Sequence, residues 1–190
     1  MIDASNPLLQ PSELPYGLPD YGAILPEHYL PAFQAAYDEH LSEIRRITMV
    51  RSMPTFENTI EAIERSGELL DRVAHAFYTV SSADATPEIQ AIDEQLAPLM
   101  AAHTDAITLD GALYWRVQQV HARLADLDLD DEQRYLVERH HREMTHAGAA
   151  LDDGAKARLS QLNQKLSTLN NTFERNLLND TNDLAVVFSS

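Results

Sequence analysis

Between Met53 and Gln95 the chain reads MPTFENTIEAIERSGELLDRVAHAFYTVSSADATPEIQAIDEQ, and this stretch admits little besides a helical hairpin. Phe56, Ile60, Ile63, Leu70, Val73 and Phe77 fall on one helical face, the spacing of a half-buried helix. Thr55 stands where an N-cap is needed and Glu57 lies in the first turn, where a carboxylate suits the dipole. Ser66-Gly67 interrupts the face in mid-helix. A glycine there costs roughly 1 kcal/mol against alanine, so close packing on a neighbour or a slight bend is expected. Asp84-Ala85-Thr86-Pro87-Glu88 then opens a second helix: Thr86 caps, Pro87 takes the first helical position, and Glu88 faces the positive end.

The flanking segments follow the same grammar. Five of the nine prolines, Pro7, Pro11, Pro15, Pro19 and Pro26, lie in residues 1–26, which excludes a sustained helix. Leu8, Leu9, Leu14, Tyr16, Leu18, Tyr21, Ile24 and Leu25 make this arm too apolar for a free tail, so it is expected to lie extended across a larger surface. A first helix begins at Pro26 or Glu27, with Pro31 near its opening turn and Leu30, Phe33, Tyr37, Leu41, Ile44 and Ile47 as its stripe. Beyond the hairpin, Ile92, Leu96 and Leu99 continue the second helix's face, and Pro98 is expected to kink or split it. Leu113, Val117, Val120 and Leu124 mark a short helix after Asp110-Gly111. Leu136, His140, Met144 and Ala147 mark another, begun at Asp130 or Asp131 and ended by Gly148. The last helix opens near Asp152-Asp153 and carries the most regular stripe: Leu159, Leu162, Leu166, Leu169, Phe173 and Leu177. With fewer than three heptads, an antiparallel partner within the fold is expected rather than a coiled coil. Leu184-Ala185-Val186-Val187-Phe188 reads as β-like, and such an apolar edge is a liability at a free end, so it is expected to lead into further protein. The expected organisation is an arm over 1–26, a helical domain over 27–183, and the start of a following segment over 184–190. The fold class is all-α, a bundle of long antiparallel helices.

Charge narrows the function. Fourteen Lys and Arg against 30 Asp and Glu give a formal −16, a surface that repels phosphate backbones and anionic lipid. Neither nucleic acid nor membrane is expected as a partner. The absence of cysteine excludes disulfides, thiolate nucleophiles and cysteine-based zinc sites. The first residues lack the basic and apolar regions of a secretory signal, so a cytoplasmic location is expected.

The eight histidines build no motif for chemistry. A metallopeptidase places two histidines one turn apart, with glutamate after the first, and no histidine here is followed by glutamate. In the dense run His140–His146, His141 and His146 are about 140° apart around a helix and cannot share a metal. His140 and Glu143 could chelate together, but two ligands do not make a site. No nucleophile elbow or phosphate-cradling loop is present, and the acidic run from Asp126 to Asp131 lacks the order of a calcium loop; a helix-capping role suits it better. Tyr78, Tyr114 and Trp115 are expected in the core. No catalytic, cofactor-binding or metal-ligating residue is therefore assigned to this segment.

A set of ordered strings resembles a known family. Asn6-Pro7-Leu8-Leu9, Leu14-Pro15-Tyr16 and His28-Tyr29-Leu30-Pro31-Ala32-Phe33 are followed by Met53-Pro54-Thr55-Phe56-Glu57-Asn58-Thr59-Ile60 and by Ser66-Gly67-Glu68-Leu69-Leu70-Asp71-Arg72-Val73. Asp93-Glu94-Gln95, Asp110-Gly111-Ala112-Leu113-Tyr114 and Leu162-Asn163 complete the series. Together they resemble the opening of the peptidyl-dipeptidases in the thimet-oligopeptidase-like group of zinc metallopeptidases, which includes oligopeptidase A and neurolysin. That resemblance implies the amino-terminal part of a two-lobed helical fold around a deep channel. It implies that zinc and its His-Glu-x-x-His helix belong to a region outside these residues. The implied partners are short peptide substrates and the catalytic lobe of the same chain; a dimer of the segment through the face meant for that lobe is a further expectation. A free-standing acidic helical module that binds a basic peptide or protein is the alternative.

Overall fold

A computed structural model describes residues 5–184, and every regular element among them is helical. The longer ones are α1 (Pro26–Thr48), α3 (Glu68–Ala83), α4 (Pro87–Thr108), α5 (Gly111–His121), α6 (Asp131–Ala147) and α7 (Asp153–Asp183), with a short α2 (Ala62–Glu64) between α1 and α3. Of the β-like run at the end only Leu184 is described, in a turn after α7; the rest lies outside the described residues.

α1 is the spine of the molecule. At its start the backbone N–H of Leu25 donates to His28 Nδ1 at 3.0 Å, closing the first turn where no Ser, Thr or Asp is available. Its first half buries Tyr29, Ala32, Phe33, Ala36 and Tyr37 against Val73, Ala76 and Phe77 of α3 and Ile89, Ile92 and Leu96 of α4. Phe77 receives Tyr29 and Phe33 edge-on, at centroid distances of 5.1 and 5.7 Å, the arrangement favoured by ring quadrupoles. Its second half sends Ile44 and Ile47 into another core, with Phe56, Ile60, Leu113, Tyr114, Val117, Val120, Val137 and Met144. The alanines at 32, 36 and 76 are fully buried; small side chains let α1 and α3 approach closely.

The hairpin expected over 53–95 forms, but its first member is not one helix. Thr55 and Asn58 cap each other, Asn58 N to Thr55 Oγ1 at 3.2 Å and Thr55 N to Asn58 Oδ1 at 2.8 Å. A wide π-helical turn, Phe56–Glu61, follows and runs into α2. The chain then breaks at Gly67, whose φ is +84°, in the left-handed region that favours glycine. A Cβ there would lie 2.9 Å from the His40 ring. Close packing is thus present, and the expected bend is a full break that lets α3 start afresh.

Other boundaries fall where the caps put them. Thr86 Oγ1 accepts from Ile89 N at 3.3 Å, Asp110 Oδ1 from Leu113 N at 2.7 Å, and Asp130 Oδ1 from Gln133 N at 2.9 Å. Gly148, at φ +105°, ends α6. Pro98 does not split α4, which continues from Pro87 to Thr108. The arm is anchored only in part. Leu8 is buried in the first core and Asn6 Nδ2 donates to the His28 carbonyl at 2.8 Å, yet Leu14, Leu18, Tyr21 and Leu25 stay 43–57% exposed and Tyr16 fully so. The arm also forms two 3-10 turns, Pro7–Leu9 and Pro15–Gly17, because proline presets φ for such turns.

α7 departs furthest from expectation. It runs antiparallel to α4, since Asn163, Ser167 and Asn171 meet Asp105, Ala97 and Asp93 in turn. Its regular apolar stripe faces solvent: Leu162, Leu166, Leu169, Phe173 and Leu177 are about half exposed or more. Periodicity reports that a face is apolar, not what covers it.

Candidate functional site

Two places collect polar groups in quantity, and the sequence motifs predicted neither. One is a buried layer between the two cores. His40 of α1 and His103 of α4 meet, His103 Nε2 to His40 Nδ1 at 3.0 Å, and His40 Nε2 reaches Ser66 Oγ at 3.2 Å. Ser66 Oγ donates to the Ile63 carbonyl at 2.6 Å, and that bond fixes the whole chain. Because the serine proton is committed to a carbonyl, Ser66 Oγ accepts from His40 Nε2–H. A neutral His40 then accepts at Nδ1, so His103 carries its proton on Nε2 and leaves Nδ1 bare. His103 Nδ1 is indeed buried without a partner, as is Tyr37 Oη; the two rings meet at a tilt of 31° with centroids 4.6 Å apart. Burial, and then the neighbouring His40, push His103 down to about 4. His40 is lowered by burial, against the smaller opposing pull of Glu43 and Asp71. Both histidines are neutral at pH 7. The layer also holds the break in place, since Gly67 N donates to Glu43 Oε2 at 2.7 Å.

The second place is the groove between α4 and α7. It encloses about 520 Å³ and is lined by Asp93, Asp105 and Glu174, with Tyr78, Asn163 and Asn171 among the neutral polar groups. Asn163 Nδ2 donates to Asp105 Oδ1 at 2.8 Å and Asn171 Nδ2 to an Asp93 oxygen at 2.7 Å. Arg175 pairs with Glu94 at the end of the row. Asp105 is only 8% exposed and its Oδ2 has no partner. Asp93 is raised from the ordinary carboxylate value, chiefly by burial, with the Asn171 bond opposing and Glu174 adding. The groove can accept donors and cations; it holds no activated nucleophile.

The histidine run on α6 has structural roles. His140 Nε2 and Arg139 both meet Glu64 Oε1 at 2.6 Å, and His141 stacks on His121 with centroids 3.9 Å apart. His140 and Glu143 gain no third ligand: among the described residues no group of three or more potential ligands could hold a metal ion. Tyr114 is core, as expected, whereas Trp115 and Tyr78 are 52 and 39% exposed. Arg116 was not foreseen. It is 2% exposed, gives Nη1 to the Val50 carbonyl at 2.9 Å, and gives Nη2 to Asn58 Oδ1 at 2.7 Å and Thr59 Oγ1 at 3.2 Å. By taking up acceptors inside the π-helical turn it compensates that turn's irregular bonding.

Sequence comparison shows what this chain is similar to. No family model matches the chain. Dipeptidyl carboxypeptidase of Escherichia coli K12 is 40% identical over 173 residues, 91% of this chain and 25% of that protein. The enzyme of the same name from Salmonella typhimurium is 39% identical over 175 residues, 92% of this chain and 26% of its own length. Oligopeptidase A of E. coli is 25% identical over 177 residues, again covering 25% of that protein. The chain thus spans about a quarter of the length of these relatives. Within that span, the chain is similar to the dipeptidyl carboxypeptidases and, more distantly, to oligopeptidase A.

Proposed function

We propose that the chain is the amino-terminal, non-catalytic helical domain of a zinc-dependent peptidyl-dipeptidase or oligopeptidase that cleaves short peptides, and that it forms part of the wall of the substrate channel. The observation that carries this reading is the match along 91% of the chain to enzymes about four times as long. The described residues support it from the other side: their buried histidines are paired with each other or with neighbours, in positions suited to holding helices together. Zinc and its ligands then belong to the remaining lobe, together with catalysis, and the parent enzyme works in the cytoplasm. The 190-residue chain, incubated with zinc and a short peptide, is expected to release no dipeptide above a buffer control. Turnover that tracks the purified chain would overturn this reading.

The groove favours a second reading, an acidic module that binds a basic peptide. Three carboxylates line it, and Asp105 keeps a buried oxygen unpaired, which an arginine or lysine side chain would satisfy. Calorimetric titration with an arginine-rich peptide separates the two. Saturable one-to-one binding abolished by Asp105→Asn supports the module; binding that merely fades with salt does not.

A further inference from the structure

α7 turns its polar side to the bundle and most of its apolar side outward, with Leu166 at the edge of the α4–α7 groove. At 100° per residue, Leu162, Leu166, Leu169, Phe173 and Leu177 share one narrow sector, and they are 47, 56, 56, 68 and 57% exposed. Asn163, Ser167, Asn171 and Arg175 occupy the other side and bond to α4. The row extends about 22 Å along the helix axis. Scattered surface leucines need no explanation, whereas an unbroken row on one face marks an interaction surface.

We propose that this row is a docking seam, and that its occupant is an apolar surface of the remaining three quarters of the parent peptidase; the inference rests on the reading given under Proposed function. Two observations choose that occupant. The relatives are about four times as long as the matched region, so they carry a large body of protein available to meet this face. A second copy is a poor alternative, because each carries a formal −16 and the two repel. α7 offers no cationic strip to overcome that repulsion: Lys156, Arg158, Lys165 and Arg175 are balanced within the helix by Asp153, Glu174, Asp180 and Asp183. Shape and charge together suit burial within one polypeptide.

The chain has no cysteine, so Leu169→Cys places a single thiol on the seam. Its maleimide labelling is followed by peptide mapping in two settings: the 190-residue chain, and E. coli dipeptidyl carboxypeptidase with this chain in place of its matched stretch. The thiol is expected to react freely in the first and about tenfold or more slowly in the second, as burial protects it. In parallel, Leu169→Glu with Phe173→Glu, at positions 56 and 68% exposed, should leave the melting temperature of the 190-residue chain unchanged and lower that of the chimera. A chimera that hydrolyses peptide but labels as fast as the short chain removes the seam and leaves the parent reading standing. A chimera that neither folds nor hydrolyses peptide removes both. A dimer of the short chain in sedimentation, abolished by the double substitution, makes a second copy the occupant and overturns the proposal.

Discussion

His103 shows how one inward polar side chain can set the acid response of the fold. Burial lowers it from 6.5 to about 4, so between those values the unfolded chain binds more protons than the folded one. Stability then rises with pH across that window. The contribution is fully present above pH 6.5 and is lost as pH falls toward 4, with at most about 3 kcal/mol at stake. His103→Gln keeps a donor for His40 and removes the titration. Denaturant melts of that variant should therefore lose less stability than wild type between pH 6.5 and 4; parallel losses would refute the neutral-pair assignment. Arg116 gives a second test. Arg116→Met leaves the Val50 carbonyl and Thr59 Oγ1 without their arginine donor and takes one of three donors from Asn58 Oδ1; it should cost about 2–4 kcal/mol, and Arg116→Lys should not restore the fork. The sequence held a usable signal for His103, which continues the inward face of α4 after Ile89, Ile92 and Leu96. Attention to metal-ligand spacing favours the denser run at His140–His146 instead, where the histidines pair with Glu64 and stack.

Helix starts were legible because caps are local chemistry: Thr55, Thr86, Asp110 and Asp130 each bind the backbone N–H three residues on. What followed Thr55 was not, because the π-helical turn depends on Arg116, 58 residues away from Asn58. The Gly67 break depends on tertiary geometry in the same way, through the His40 ring and Glu43. Gly67→Ala must hold a side chain at positive φ against that ring, and should cost about 2 kcal/mol or more. A midpoint unchanged in urea would show that the break is not needed. α7 carries the larger lesson. Its 3–4 periodicity correctly identified an apolar face, but the pattern is equally sharp whether the partner lies in the same domain or beyond it. Only the structure shows that α4 takes the polar side.

The molecule as a whole is two small cores strung along α1, joined through a neutral histidine layer and flanked by a polar α4–α7 seam with a bare apolar back. That architecture is compatible with the place in a channel wall proposed above. Among the described residues no helix is long and apolar enough to cross a membrane, and the acidic groove faces outward between α4 and α7. The all-helical class was readable from periodicity, whereas the likeness to dipeptidyl carboxypeptidases was readable only from ordered strings. The measurement that bears most directly on the central claim is peptide hydrolysis by the chimeric E. coli dipeptidyl carboxypeptidase carrying this chain. The account predicts release of dipeptides from a short peptide at a rate close to that of the unmodified enzyme. A folded chimera with zinc bound and no turnover would contradict it.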